Sequence, residues 1–308
     1  MKNIPCISIT VAICTYNRAD FLNNLLKHLL PQIRSYNNVE LLIVNNNSSD
    51  NTGDVANTYA RLYSQVKVHC CHVQGLSYAR NLALQEAQGE WVGYLDDDAY
   101  PENDWLSQAI RIVNSGEYDA FGGVYYPWYK DGKKKWFEDS FESNSNWIDV
   151  KEEGRLRKGY FSGGNCFIKK RELLNVGGFP SSLGMSGKAI GYGEETYVQR
   201  LMALKGARLG FSSQLVIYHY TPLSKQTIRW ACIRHFKYGQ SFWRIYQKPL
   251  TVSFLLKQCK VEVKETTRAV TSKREPRYFF LKRFYVAARF SRILGLIKGY
   301  VEMKWQSL

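Results

Sequence analysis

Short apolar runs alternate with helix-spaced apolar residues over the first two thirds of the chain. Such runs are typical of buried strands, and apolar residues at positions i, i+3, i+4 and i+7 are typical of amphipathic helices. The alternation predicts an α/β fold, with a mainly parallel sheet flanked by helices on both faces. The predicted strands are Ile7–Ile13, Val39–Val44, Val66–Cys70, Trp91–Leu95, Asp119–Tyr125, Gly159–Ile168 and Ser212–Tyr220.

Three consecutive carboxylates, Asp96, Asp97 and Asp98, directly follow the predicted strand Trp91–Leu95. Adjacent acids repel one another, and Mg²⁺ and Mn²⁺ prefer carboxylate oxygens as ligands. In an open α/β sheet, ligands bind outside the carboxyl ends of the strands, which is where these acids fall. The triplet therefore predicts a divalent-cation site; the alternative is an acidic turn and helix cap leading into Pro101.

Polar loops follow the first two predicted strands. Cys14–Arg18 follows the first, and Asn45–Gly53 follows the second with side chains that can hydrogen-bond a base or a ribose. The alternative reading of the second loop is only a turn and a helix N-cap. Neither loop contains a GxGxxG or a Walker glycine-lysine pattern, so the common dinucleotide and P-loop sites are not expected.

A predicted helix, Gly75–Leu84, carries Arg80 just before the acidic triplet. Leu76, Ala79, Leu82 and Ala83 are expected to form its apolar face, with Arg80 on the other face. An arginine on a helix face is most often solvated. Here its position also suits a second task, the neutralisation of a diphosphate beside the acids.

Three segments of the second half are candidates for ligand contact. Tyr126–Lys158 is rich in aromatic residues and fits a lid, a sugar-acceptor platform or a surface loop with its own small core. Gly163 and Gly164 allow a close approach between backbone and ligand. The glycine-rich Gly184–Gly193 leads into Glu194 and Glu195, which open a helix and so also suit its dipole.

Charge divides the chain of 308 residues into two regions, predicted as domains 1–220 and 221–308. Thr221–Leu308 carries 19 Lys and Arg against 4 Asp and Glu, which equals the +15 net charge of the whole chain. Within it, Arg277–Lys298 reads as a basic amphipathic helix, which predicts contact with an anionic membrane surface. Packing against the first domain and nucleic-acid binding are the alternatives. The expected apolar side consists of Phe280, Phe284, Ala287 and Ala288.

The cysteines and the hydropathy pattern predict a cytoplasmic location. The seven cysteines form no CxxC pair and are expected to be reduced thiols. No signal peptide and no apolar stretch of roughly 18 residues is visible.

Seven short motifs, each weak alone, occur together in one order over residues 7 to about 220. By this order the chain resembles the inverting family-two glycosyltransferases, which have the GT-A fold. The motifs are Val11–Arg18, Leu42–Asp50, Gly75–Asn81, Leu95–Asp98, Gly163–Asn165, Val176–Phe179 and Gly193–Glu195.

The resemblance implies roles for individual residues. Asp96 and Asp98 match the two acids of the family's Asp-x-Asp motif; Asp98 would bind Mn²⁺ or Mg²⁺, with Asp96 nearer the ribose and His219 as a further metal ligand. Glu195, or alternatively Glu194, would be the catalytic base. The positions implied to bind the nucleotide and donor are Thr15, Asn17, Arg18, Asn45, Asn47, Arg80, Asp96, Asp97, Gly164 and Asn165.

Two positions depart from the family pattern, which usually has Asp at Asn45 and Glu-Asp at Glu194-Glu195.

The resemblance implies metal-dependent, inverting transfer from a nucleoside-diphosphate sugar, with a UDP-sugar favoured. The acceptor would be a hydroxyl of a glycan or lipid-linked acceptor in surface polysaccharide synthesis, at the inner face of a bacterial membrane, with no nucleic-acid partner. A catalytically impaired nucleotide-sugar-binding scaffold and a nucleotidyltransferase are the alternatives; the second would need a glycine-rich basic signature after the first strand.

Overall fold

A computed structural model describes residues 8–144, 148, 150–187, 189–271 and 278–306. Ile7 and Trp147, which the sequence analysis places in the first strand and the aromatic loop, lie outside these residues. The chain divides into two compact units. The first unit contains Met1–Trp128, Asp139–Ser181 and Glu195–Tyr220, and the second contains Tyr129–Glu138, Ser182–Glu194 and Thr221–Leu308.

A single large sheet organises the first unit. Its strands follow the order β3-β2-β1-β4-β8-β6-β9-β5, and β7 pairs with the same β9. The strands β3, β2, β1 and β4 are parallel to one another, as the alternating pattern predicts. The strand bounds are β1 Ile9–Thr15, β2 Val39–Asn45, β3 Val66–Cys70, β4 Trp91–Leu95, β5 Ala99–Pro101, β6 Ala120–Trp128, β7 Glu153–Arg155, β8 Asn165–Lys169 and β9 Leu209–Tyr220.

The remaining strands make the sheet mixed. β6 is parallel to β9, whereas β8 is antiparallel to both β4 and β6, and β5 and β7 are antiparallel to β9. β8 begins at the edge where β4 ends, because Asn165 pairs with Leu95. A strand that starts at the carboxyl edge must run back across the sheet. The residues just before β8, Gly163 and Gly164, therefore lie next to the end of β4.

Helices cover both faces of this sheet, as predicted. Alternate residues of β1 divide between two cores: Ile9, Val11 and Ile13 join one, and Ala12 joins the other. Both faces of a largely buried sheet are apolar in this way. The helices are α1 Ala19–Arg34, α2 Thr52–Leu62, α3 Leu76–Glu86, α4 Trp105–Ser115, α5 Lys170–Asn175 and α6 Glu194–Leu204.

Asp119 joins three strands at the amino end of β6. Its carboxylate accepts hydrogen bonds from Lys169 Nζ at 2.8 Å and from Arg208 Nε at 3.1 Å, and its residue is 8% exposed. Burial alone would raise the pKa of Asp119, but the hydrogen bonds from Arg208 and Lys169 lower this pKa well below its ordinary value of 3.8. The charged form therefore stabilises the junction of β6, β8 and β9.

Three long helices form most of the second unit: α7 Ile228–Tyr246, α8 Val252–Thr271 and α9 Tyr278–Gln306. α7 and α9 approach so closely that a Cβ on Gly239 or Gly295 would overlap the backbone of the other helix. Trp243 of α7 donates its indole N–H to the carbonyl of Leu296 at 2.9 Å. In the described part of the chain, no helix is both long enough and apolar enough to cross a membrane.

The packed face of α9 differs from the expected membrane-facing side. Phe284 and Ala288, expected to meet the membrane, are 4% and 1% exposed. Trp136 lies against Phe284 at 5.9 Å between ring centroids, within the same unit. Phe284 and Ala288 are thus interior residues, because an apolar stripe on a helix can serve packing as well as membrane contact. The side chain of Phe280 lies outside the described residues.

Part of the aromatic loop forms a small core of its own, one of the three expectations for it. Phe137 is 3% exposed and packs edge-on against Tyr129 and Trp136, all within the second unit. Other residues of Tyr126–Lys158 extend β6 as far as Trp128. These contacts favour a structural role for Tyr129–Glu138.

We predict that Asp119→Asn lowers the free energy of unfolding by about 3 kcal/mol, the lower end for a broken buried ion pair, since Arg208 is partly solvated. The carboxylate's pKa is lower in the folded chain than in the unfolded chain. Its stabilisation is therefore present above pH ~4 and is lost as the pH falls further. Urea unfolding at neutral pH and at pH 3 measures both effects; the difference between wild type and variant should shrink at pH 3. Asp54→Asn, at an exposed position, should change little at either pH.

Candidate active site

Asp98 is the most enclosed acid of the triplet. Its side chain is 7% exposed and lies just beyond the carboxyl end of β4. One carboxylate oxygen accepts a hydrogen bond from Arg18 Nη1 at 2.8 Å, and the other lies 3.2 Å from His219 Nε2. Arg18 and His219 therefore contact the Asp98 carboxylate from two sides.

An irregularity in β9 brings His219 to this position. The register between β6 and β9 shifts after Gly123, so that Val124 pairs with Val216. Beyond the shift, His219 pairs with Ala99, which directly follows Asp98. Bulges of this kind re-aim side chains next to functional sites.

Asn165, a position that the resemblance implies to bind the donor, holds the bulge of β9 through its side chain. Its side chain is fully buried and donates to the carbonyls of Val124 and Leu215 at 3.0 and 2.9 Å. Its amide oxygen accepts from the indole N–H of Trp105 at 2.8 Å. These bonds satisfy the amide within the protein, so Asn165 acts on the site through the backbone of β9.

The side chains of Asp96, Asp98 and His219 fit a divalent cation. One ligand atom from each lies within 4.8 Å of the others. Two carboxylates suit Mg²⁺ or Mn²⁺, and an added imidazole nitrogen is the type of ligand that transition metals accept more readily. The donor set therefore agrees with the metal ligands that the resemblance implies.

Asp97 differs from its two neighbours. Its side chain is 12% exposed and lies 4.0 Å from Arg18 Nη1. Burial and the charge of Asp98 raise the pKa of Asp97 to about 7, against the lowering effect of Arg18. Its carboxyl group is outside the cluster of possible metal ligands.

Arg80 is buried, contrary to the expectation of an outward helix face. Its side chain is 5% exposed, and its Nη2 lies 3.6 Å from Asp96 Oδ1. The guanidinium also lies over the rings of Tyr94 and Phe179, at 5.9 and 5.4 Å from their centroids. The buried position of Arg80 on α3 is stabilised by cation–π contacts with the two rings and by the nearby Asp96 carboxylate. In the structure Arg80 therefore holds Asp96.

The side chains of Arg80 and Asp96 leave no room for a Cβ atom at positions 163 and 164, so both residues must be glycine. A Cβ on Gly163 would lie 2.9 Å from Arg80 Nη1, and a Cβ on Gly164 would overlap the carboxylate of Asp96. The side chains that approach these two glycines are the protein's own Arg80 and Asp96, and the approach of a ligand stays a prediction.

Asn17 connects the first polar loop, Cys14–Arg18, to the second, Asn45–Gly53, through hydrogen bonds. It has a left-handed backbone (φ 51°), its side-chain oxygen accepts from the backbone N–H of Ser49 at 2.8 Å, and its own N–H donates to Ser48 Oγ. Thr15, expected to face the donor, is 2% exposed, and its carbonyl accepts from Asn46 N at 2.8 Å. Thr15 thus joins the loops through its backbone.

Asn45 and Asn47 flank Asn46, a buried residue that the sequence analysis did not single out. Asn47 is exposed with a left-handed backbone, and the side-chain oxygen of Asn45 accepts from Ser48 N at 3.1 Å. Asn46 is 4% exposed; it donates to the carbonyl of Val73 and accepts from Gly75 N, both within 2.8 Å. An asparagine inside a turn-rich run gives no signal that would distinguish it from its neighbours.

Asn81 connects two of the seven motifs, Gly75–Asn81 and Val176–Phe179, through hydrogen bonds. Its side chain exchanges two hydrogen bonds, both of 2.8 Å, with the backbone N–H and carbonyl of Phe179. Gly178, which has φ 73°, passes close to the same side chain. This clamp places the Phe179 ring where it covers Arg80.

The two glutamates occupy the first turn of α6. Glu194 is 5% exposed and falls in the second unit, and Glu195 is partly exposed and falls in the first unit. Burial raises the pKa of the Cys166 thiol to about 12, and the nearby charges of Asp96 and Glu195 add to this effect while Arg80 opposes it. Glu195 is therefore part of the same charged neighbourhood as Asp96.

Comparison with known proteins identifies relatives of this chain. Residues 10–177 match the family described as Glycosyl transferase family 2. The succinoglycan biosynthesis protein ExoM of Rhizobium meliloti (strain 1021) is 24% identical over 243 residues, 78% of this chain and 75% of the relative. The glucosyl-dolichyl phosphate glucuronosyltransferase of Haloferax volcanii is 26% identical over 254 residues, 79% of this chain and 76% of the relative.

A solved structure has a similar fold. The mannosyltransferase PcManGT from Pyrobaculum calidifontis, in complex with GDP-Man and Mn²⁺, superposes with a TM-score of 0.65 at 18% identity. The superposition covers 96% of this chain and 88% of that protein. At this identity the likeness shows the fold.

We predict that Gly164→Ala weakens Mn²⁺ binding by at least about tenfold, because the new methyl group displaces the Asp96 carboxylate; changes beside metal ligands typically have effects of this size. Isothermal titration calorimetry with MnCl₂ measures the affinity without requiring a substrate. Gly154→Ala is the matched control, since its Cβ would make only an ordinary contact at 3.5 Å with Val150. Equal Mn²⁺ affinities in the two variants would show that Asp96 is not a ligand.

Proposed function

This chain belongs to glycosyl transferase family 2 and is a glycosyltransferase with the GT-A fold, and from that premise we propose that it transfers a sugar from a nucleoside-diphosphate donor with inversion at the anomeric carbon. The observation that carries the proposal is the cluster of Asp96, Asp98 and His219 at the carboxyl edge of the sheet. Such an edge is where open α/β sheets bind their ligands.

Asp98 and His219 would hold the metal, with Asp96 as a third ligand. Mn²⁺ or Mg²⁺ bound there would neutralise the negative charge that the diphosphate leaving group gains as the glycosidic bond breaks. Arg18 hydrogen-bonds Asp98 and keeps that carboxylate in position. Arg80 orients Asp96 from the buried side. The complex of PcManGT with Mn²⁺ supports the choice of metal.

The two locked loops would hold the nucleoside, with a UDP-sugar as the favoured donor. The Asn45 oxygen accepts from Ser48, so its N–H₂ group can donate to a carbonyl oxygen of the base. Uracil offers such an oxygen, and so does guanine, the base of the GDP-Man bound by PcManGT. Asp97, mostly buried beside Arg18, would lie on the donor side of the acidic triplet.

Glu195 would be the catalytic base, with Glu194 as the alternative. The base must remove the proton of the acceptor hydroxyl while the oxygen attacks the anomeric carbon from the side opposite the diphosphate. A single carboxylate completes this displacement without a covalent sugar–enzyme intermediate. The partial exposure of Glu195 suits contact with an acceptor better than the burial of Glu194.

The acceptor would be a glycan or a lipid-linked sugar used in surface polysaccharide synthesis. The name of ExoM supports a polysaccharide product, and that of the Haloferax enzyme supports a lipid-linked acceptor. We further propose that residues 1–220 form the catalytic domain and that the basic region 221–308 meets an anionic membrane on its cytoplasmic side.

We predict that one nucleotide among UDP, GDP, CDP and dTDP raises the melting temperature only when Mn²⁺ or Mg²⁺ is present. A ligand that binds only the folded state stabilises it by about 2.7 kcal/mol at a hundredfold excess over its Kd. Thermal-shift measurement of each nucleotide with metal or with chelator identifies the base. Asp98→Asn should abolish the shift, whereas the exposed control Asp54→Asn should retain it. The proposal fails if Asp98→Asn gives the wild-type shift.

We predict that Glu195→Gln lowers the rate of sugar transfer by about a hundredfold or more while nucleotide binding stays within twofold, since general-base catalysis contributes roughly 10²–10⁴-fold. Release of the nucleoside diphosphate in the presence of acceptor measures the rate, and NMR of the product's anomeric proton reports inversion. Glu194→Gln is the companion variant. A larger loss in Glu194→Gln than in Glu195→Gln would transfer the role of base to Glu194.

A further inference from the structure

We propose that the outward face of α9 is a docking surface for an anionic lipid bilayer, with the helix lying flat among the headgroups. The inference rests on the membrane partner proposed above and adds the residues that meet it. They are not the residues that the amphipathic pattern selects, because Phe284 and Ala288 are buried.

Six exposed apolar residues form a continuous line along α9, here called the apolar stripe. Successive members are three or four residues apart, so they lie on one side of the helix. At a rise of 1.5 Å per residue the stripe is roughly 29 Å long. Its members are Val286 (40% exposed), Phe290 (60%), Leu294 (45%), Ile297 (42%), Val301 (46%) and Trp305 (76%).

The opposite side of α9 already forms the interior of the second unit. Leu296 is 1% exposed, and Gly295 and Gly299 lie against the backbone of α7. α9 is therefore apolar on two sides. The side with Leu296 packs inside the second unit, and the apolar stripe on the other side is exposed. A long apolar line left in water marks a surface that meets another partner.

The charges beside the apolar stripe favour lipid as that partner. Arg283, Lys298 and Lys304 are exposed on the same helix, and Glu302 is the single acid in the sequence of α9. Glu302 accepts hydrogen bonds from Gln240 of α7 at 2.9 and 3.0 Å, and its carboxylate also lies 3.9 Å from Lys298 Nζ, which leaves α9 with a clear excess of positive charge. Basic residues beside exposed apolar residues are the composition of helices that lie at anionic membrane surfaces.

Two other occupants fit these features less well. A second copy of the chain would bring lysines and arginines of the same helix face together, which costs free energy through repulsion. A nucleic acid would use the basic residues but would leave Phe290, Leu294 and Ile297 without apolar contact. The indole of Trp305, at the end of the stripe, is suited to the boundary between headgroups and acyl chains.

Co-sedimentation with vesicles tests this proposal. Vesicles of phosphatidylcholine alone are compared with vesicles that also contain phosphatidylglycerol, at low and high salt. We expect binding to the anionic vesicles that weakens as the salt concentration rises. Phe290→Glu should reduce the affinity more than tenfold, and Lys298→Glu should reduce it about 25-fold, because the lost lysine contributes about fivefold and the new acid is repelled about as strongly.

Matched controls come from exposed positions of the first unit. Leu62→Glu replaces a leucine of α2 that is 67% exposed, and Lys67→Glu reverses an exposed charge in β3. Both should bind vesicles within twofold of wild type. Phe290→Ala keeps the test informative if the glutamate variant does not fold; it should still weaken binding several-fold.

Three results would overturn the proposal. The first is wild-type affinity for anionic vesicles in Phe290→Glu and Phe290→Ala. The second is a lipid-free wild-type dimer, seen by sedimentation velocity, that Phe290→Glu dissociates. The third is salt-dependent binding to RNA with none to vesicles. Nucleotide thermal shifts on the same samples separate the two proposals, since a wild-type protein that shows the nucleotide shift but binds no anionic vesicles rejects this proposal alone.

Discussion

The first unit depends on how the charge of three adjacent carboxylates is balanced. Asp96, Asp97 and Asp98 follow β4 with no intervening residue, and mutual repulsion would disfavour them at any strand end that lacked positive partners. Arg18 reaches Asp98 from the first loop, and Arg80 reaches Asp96 from α3. Three segments distant in sequence therefore have to converge on one edge of the sheet. The same convergence brings one possible ligand atom from each of Asp96, Asp98 and His219 within 4.8 Å of one another.

This convergence leaves little space for side chains, and the local sequence reflects that limit. Gly163 and Gly164 lack a Cβ because Arg80 and Asp96 occupy the adjacent volume. Asn165 then fastens the bulge of β9 to the centre of the sheet, and the bulge directs His219 toward Asp98. Gly163 and Gly164 thus leave space for Arg80 and Asp96, and Asn165 positions His219 through the bulge. The short Gly-Gly-Asn motif has a physical explanation in this arrangement.

The sequence predicts the elements better than it predicts which way their side chains point. Apolar runs correctly place β1, β2 and β4, because parallel strands that are buried on both faces are apolar at most positions. The direction of β8 could not be read, since direction depends on the path of the connection that precedes the strand. Arg80 was expected on an outer face because helical periodicity treats every charge as solvated, whereas Tyr94, Phe179 and Asp96 receive it inside. Phe284 shows the same limitation. α9 has two apolar sides, and the apolar pattern of its sequence does not show which side packs inside the second unit.

We propose that the side chains of Asp96, Asp98 and His219 bind the metal that the donor diphosphate needs. The most direct measurement is a crystal structure of the protein soaked with MnCl₂ and the nucleoside diphosphate that it binds, with anomalous data collected at the manganese edge. We expect one strong anomalous peak within bonding distance of a carboxylate oxygen of Asp98 and of the diphosphate. A peak at other acids, or a bound nucleotide with no peak beside Asp98, would contradict it.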